Sequence, residues 1–154
     1  MLPAKNKYLA TDSRRAAQRV GKGGMRFPKD FMSMALTVSP LRALIYIKEH
    51  YPEKTFLSAM HFLFDRFWTP PHVNYTVDEN LEATLTAATE TPEGGPHLFS
   101  TEDVRRIMDG RLEAKDTLKA TTAKAVNELG AFGAPWIWAT NSQGKGEAFF
   151  GSDR

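Results

Sequence analysis

The chain has no cysteine among its 154 residues. That excludes disulfides, thiolate nucleophiles and sulfur-ligated zinc from its own chemistry, and it leaves no redox compartment to read. No apolar run reaches membrane-spanning length. There is no internal repeat and no low-complexity tract. Charge of one sign is also missing. Twenty Lys and Arg against eighteen Asp and Glu leave a net +2 with His neutral, too little to argue for nucleic acid or a membrane surface as partner. The first five residues, Met1-Leu2-Pro3-Ala4-Lys5, lack the apolar core of a signal peptide.

What is present is ordinary globular composition, 42% hydrophobic and 25% charged, at a usual size for one domain. The positive charges are uneven. Lys5, Lys7, Arg14, Arg15, Arg19, Lys22, Arg26 and Lys29 fall in the first thirty positions, against Asp12 and Asp30. They read as a solvated helix face, or as a surface that attracts small anions.

Helices dominate the pattern. One is expected from about Lys5 to Val20, ended by Gly21, Gly23 and Gly24. Ser39-Pro40 reads as an N-cap with proline in the first turn, followed by an apolar face of Leu41, Leu44 and Ile45. The next helix, about Glu53 to Trp68, is the most apolar. Phe56, Leu57, Met60, Phe64, Phe67 and Trp68 keep helical spacing, and Phe62 and Leu63 widen the stripe, so it is central or buries a second face. Thr69-Pro70-Pro71 stops it. Asp78 opens a weaker helix through Leu81, Leu85 and Ala88, and Thr91 to Pro96 reads as a turn-rich linker. Ser100 with Asp103 resembles a capping box. After Gly110 a long helix should turn Leu118, Thr122, Ala125, Val126 and Leu129 inward, with Gly130 at its end.

Strand signals come only afterwards, at Trp136 to Thr140 and Glu147 to Phe150, joined by Asn141-Ser142-Gln143-Gly144. A lone hairpin is marginally stable and leaves both edges open. Something is expected beside it. Its entrance, Gly130-Ala131-Phe132-Gly133-Ala134-Pro135, puts a permissive glycine and a restrictive proline at the door of the first strand.

A long helix, this loop, a strand, a hairpin turn and a second strand follow the order of the second half of a thioredoxin-like fold. There a cis-proline precedes the third strand. The loop together with Phe149-Phe150-Gly151-Ser152-Asp153-Arg154 is similar to the kappa-class glutathione transferases and the related 2-hydroxychromene-2-carboxylate isomerases of the DsbA-like group. Pro3, Lys5, Tyr8, Asp12, Arg15, Ala17 and Gly21 resemble that family's pattern independently. So do Arg26 to Phe31, the Ser39-to-Leu44 stretch, and Phe64-Asp65-Arg66-Phe67-Trp68. The likeness covers essentially the whole chain, in the family's order.

The resemblance implies an α+β, mostly α architecture: an incomplete thioredoxin-like (DsbA-like) fold. Residues 1–31 would be its first helix and connector, 32–110 a helical insertion, and 111–154 the long helix, cis-proline loop and β-hairpin. It implies that the first βαβ unit, with its catalytic serine, and the last helix are missing, so that the chain is a truncated member. It implies glutathione as co-substrate and a small electrophile as partner. Ala134, ahead of Pro135, would pair its backbone with the cysteinyl part, and Ser152 and Asp153 would hold the γ-glutamyl end. It implies a homodimer in the intact family and a mitochondrial or peroxisomal location. No metal is expected.

No catalytic residue is therefore expected among these 154 residues. Ser39-Pro40 matches the family's serine turn only superficially, since no strand precedes it. The activity expected is that of a kappa-type glutathione transferase, inactive in these 154 residues alone. The alternatives are a glutathione-dependent isomerase, or a non-catalytic helical interaction module pairing through the Phe56–Trp68 helix. His61 and Asp65, one helical turn apart, read as packing or surface residues rather than metal ligands. Trp136 and Trp138 read as sheet-packing residues.

Overall fold

The computed structural model describes residues 3–151. They form an α+β chain, mostly helical. It divides into two compact units, residues 1–114 and 115–154.

The first unit contains α1 (Pro3–Arg19), α2 (Phe31–Met34), α3 (Val38–His50), α4 (Glu53–Trp68), α5 (Asp78–Thr86), β1 (Thr89–Thr91), β2 (Gly94–His97) and α6 (Thr101–Gly110). α1 ends where the glycines begin. Gly21 adopts φ +74°, and the N–H groups of Gly21 and Lys22 turn back to the carbonyls of Gln18 and Ala17 at 3.1 and 2.8 Å. These two hydrogen bonds satisfy carbonyls that the helix leaves open.

The core gathers between α3, α4, α5 and α6. Ala43, Ile47, Ala59, Phe62, Leu81, Leu85 and Ile107 are all essentially inaccessible. Burying each large aliphatic or aromatic side chain stabilises by about 1.5–3 kcal/mol. Tyr75 enters the same core and donates its hydroxyl to the Leu63 carbonyl at 3.1 Å, so its polar atom is satisfied.

α4 has the expected bounds, but its buried face is displaced. Ala59, Phe62, Leu63 and Phe67 form it, whereas Leu57 and Phe64 are exposed. Phe62 and Leu63, expected only to widen the stripe, are its centre. Ser39 is also corrected. α3 begins at Val38, two residues earlier than expected, and Ser39 makes no cap hydrogen bond. Its hydroxyl instead donates to Asp78 Oδ1 at 3.0 Å and accepts from Arg111 Nε at 3.1 Å. Ser100 does cap α6 through the reciprocal capping box with Asp103.

The Thr91–Pro96 stretch is not a linker. Thr89 pairs with His97 and Thr91 with Gly94 in an antiparallel β1–β2 hairpin whose register is irregular between those pairs. It packs on α4, and Lys54–Glu90 and Lys22–Glu93 ion pairs of 3.0 Å fasten its rim. Being exposed, these pairs contribute little to stability. Lys22 is thus engaged, and Arg26 donates to the Gly23 and Met25 carbonyls, so part of the N-terminal positive charge serves local structure.

The second unit contains α7 (Lys115–Asn127), β3 (Trp136–Thr140) and β4 (Gly146–Phe150). β3 and β4 form their own two-stranded antiparallel sheet, unconnected to β1–β2. No α7 side chain is fully buried among the described residues; Leu118, Ala125 and Leu129 are half-buried, and Thr122 and Val126 are exposed. The expected inward stripe is therefore only partly covered within this unit.

Candidate functional site: the loop before β3

The loop opens with Gly130 at φ +72°, where Ala131 N–H returns to the Ala125 carbonyl at 2.8 Å. A residue with a Cβ is strained in that left-handed region, which accounts for glycine there. Phe132 then packs its ring on Phe150 (centroids 4.6 Å) and Trp136 (5.3 Å). Gly133 lies against the Phe150 ring, so an added Cβ would come within 3.0 Å of it. The aromatic at 132 and the glycine at 133 together let the chain fold closely over the end of β4.

The Ala134–Pro135 peptide is cis, as the resemblance implied. The Pro135 carbonyl accepts from Gly151 N–H at 3.0 Å, and Asn141 N–H donates to the Lys145 carbonyl at 3.0 Å. Between these ends the register is one to one, from Trp136↔Phe150 to Thr140↔Gly146. Antiparallel pairs alternate, so Ile137 and Ala139 aim their backbone groups at β4. Trp136, Trp138 and Thr140 aim theirs at the other edge, where no strand lies among the described residues. Ala134 is exposed, and its N–H and carbonyl have no hydrogen-bond partner among the described residues. The arrangement leaves a short extended edge that no described strand covers.

Both faces of the hairpin carry apolar side chains. Ile137 and Phe149 occupy one, Trp136, Trp138 and Phe150 the other. The Trp136 Nε1 is buried without a partner among the described residues. Trp138 crosses Gly146 so closely that a Cβ there would lie 2.5–2.6 Å from the indole.

Of the four residues expected to bind glutathione, Ala134 and Pro135 sit in this loop. Ser152 and Asp153 lie outside the described residues. Among the described residues His61 and Asp65 are not joined by other ligating groups. Among the described residues no three His, Asp or Glu side chains gather as a metal site. Asp65 faces Lys22 at 3.9 Å and accepts from Thr69 Oγ1 at 3.4 Å. Hydrogen bonding to Glu93 holds the Lys22 ammonium above its usual range, and Lys22 in turn holds the Glu93 carboxyl low. No described helix is long and apolar enough to cross a membrane.

The main polar cluster missed from sequence is Ser39–Asp78–Arg111. Its members are 39 and 72 positions from Ser39, so only the lone arginine after α6 hinted at it.

Two curated proteins match the chain along its length. One is glutathione S-transferase kappa 2 of Caenorhabditis elegans, 28% identical over 99% of this chain and 64% of its own length. The other is human glutathione S-transferase kappa 1, 30% identical over 100% of this chain and 64% of its own. The chain is similar to kappa-class glutathione transferases from end to end. It spans just under two thirds of the length of these kappa-class relatives. No family model matches it.

Proposed function

We propose that this chain carries the glutathione-orienting part of a kappa-type glutathione transferase. The observation that carries the reading is the match to both kappa-class proteins across the whole chain. The loop geometry supports it, because Ala134, whose backbone groups have no partner among the described residues, stands at the start of a strand edge that no described strand covers.

In this reading the cysteinyl part of glutathione pairs with the Ala134 backbone as a short added strand. The Ser152 hydroxyl meets the γ-glutamyl carboxylate, and the Asp153 carboxylate meets its ammonium group. The thiolate then attacks an electrophilic carbon, displacing the leaving group, or reduces a peroxide. The sulfur needs a donor that favours its thiolate. The only serine followed by proline here, Ser39, belongs to α3 and is engaged with Asp78 and Arg111, so it does not supply one. The intact enzyme is proposed to be a homodimer acting on small electrophiles.

The test is titration of reduced glutathione into the 154-residue chain, followed by backbone amide resonances. Saturable shifts centred on Ala134, Trp136 and Gly151 are expected. Shifts scattered over the helical unit, or none at millimolar glutathione, would remove the proposal.

A further inference from the structure

The helical unit holds a cavity of about 250 Å³ between α2, α3 and α4. Leu41 and Leu44 line it from α3, Leu63, Phe67 and Trp68 from α4, and Phe31 from α2. Among the described residues no charged side chain borders it. Tyr75 also faces it, but its hydroxyl is already given to the Leu63 carbonyl at 3.1 Å. Phe31 lies 5.7 Å from Trp68 and Phe67 lies 5.0 Å from Trp68, so aromatic faces and edges form much of the wall. Leu41 and Phe64 stand at the mouth, 43% and 57% exposed.

We propose that this cavity binds a small, uncharged, flat apolar molecule of one or two rings. Size sets the upper bound. An apolar cavity of about 150 Å³ takes benzene, whereas drug-sized ligands need roughly 300–1,000 Å³. Chemistry sets the charge. An ion brought here would lose its hydration against walls that offer no counter-charge, which costs several kcal/mol or more. Ring geometry favours an aromatic guest, which can meet the wall rings edge-to-face or offset. The proposal does not depend on the glutathione reading, since it concerns the helical unit alone and needs no thiol.

The experiment titrates 1-aminonaphthalene, uncharged near neutral pH, into the 154-residue chain without glutathione. Methyl resonances of Leu41, Leu44 and Leu63 report on the cavity. Saturable shifts at all three are expected, with the β3–β4 resonances unmoved. 1-Naphthalenesulfonate should bind at least tenfold more weakly. Leu41→Trp, which fills the mouth from a part-exposed position, should weaken 1-aminonaphthalene at least tenfold. If that variant does not fold, Phe64→Glu places a charge at the exposed rim and should weaken binding several-fold. No saturable shift up to the probe's solubility, equal affinity for the sulfonate, or unchanged affinity in a folded rim variant would each overturn the proposal.

Discussion

Arg111, just after α6, donates from Nη2 to the Asp78 carboxylate across 2.5 Å, at the first turn of α5. Its Nε reaches Ser39 of α3, and its Nη1 reaches the Met108 carbonyl. One side chain, itself 8% exposed, therefore ties three helices of the unit together.

Removing the counter-charge should hurt more than removing the pair. Asp78→Asn leaves a buried guanidinium without its carboxylate, and breaking a buried pair costs about 3–5 kcal/mol. Asp78 itself is half exposed, so about 2 kcal/mol is the expectation here. Asp78→Leu with Arg111→Met should cost less than Asp78→Asn alone. Urea unfolding of the three proteins measures this; equal stability of Asp78→Asn and the parent chain would refute the clamp.

The crossing of α3 and α6 depends on a glycine for space rather than for its dihedral angles. A Cβ at Gly110 would overlap the Tyr46 ring, which stacks on His50 at 4.0 Å. Gly110→Ala gains up to about 1 kcal/mol of helix propensity. Overpacking costs about 1–3 kcal/mol. A net loss is expected, and Tyr46→Ala in the same chain should recover part of it. A thermal-unfolding double-mutant cycle shows whether the two changes couple. Simple additivity would mean that the helices are not in contact there.

Asp103 links α6 to pH. Hydrogen bonds from the Ser100 side chain and backbone, and from the Tyr51 hydroxyl, hold its carboxyl below the usual 3.8. A folded carboxyl held low stabilises the fold above the unfolded value, and that contribution is lost as pH falls through the folded value. Stability should therefore decline below about pH 4. Ser100→Ala should cost about 1 kcal/mol at neutral pH and flatten that acid limb. Burial, then the bond to Asp103, pushes the Tyr51 hydroxyl up to about 12. Its contribution is present below pH 10 and is lost as pH rises through the folded value. Tyr51→Phe should flatten the alkaline limb. Chemical-denaturation midpoints across pH 2–11 read both limbs.

Local chemistry made much of this legible. Pro52 and Thr69-Pro70 bracket α4, the Ser100–Asp103 spacing announces α6, and alternating apolar residues around Asn141–Gly144 announce β3–β4. What stayed hidden depends on distant partners. β1–β2 has no alternating apolar pattern; Thr89–Thr91 and Gly94–His97 become strands by packing on α4. The face of α4 was displaced because a helix rich in aromatics all round does not itself say which side meets α3 and α5. Ser39 carried the local mark of a cap, yet its hydroxyl is claimed by residues far along the chain. At the candidate site the loop was legible from Gly133-Ala134-Pro135, its cis bond was expected only through the family resemblance, and Ser152 and Asp153 lie outside the described residues.

The last prediction concerns catalysis. The 154-residue chain should show no conjugation of glutathione to 1-chloro-2,4-dinitrobenzene above the uncatalysed rate. Glutathione thiol is mostly protonated near neutral pH, so rate gain requires donors that favour the thiolate. Ala134, Ser152 and Asp153 orient the tripeptide in the proposed reading, and none of them is placed there to meet the sulfur. Supplying a strand that ends in a serine–proline turn should restore turnover. In that active form Ala134→Leu should change glutathione affinity only a few-fold, because the contact is made by backbone. Asp153→Ala should raise the KM for glutathione about tenfold or more through loss of a charge-assisted bond, with little change in kcat. Clear turnover by the chain as it stands would mean that another residue activates the sulfur. A kcat loss without a KM change in Asp153→Ala would mean that this aspartate acts on the reaction rather than on binding.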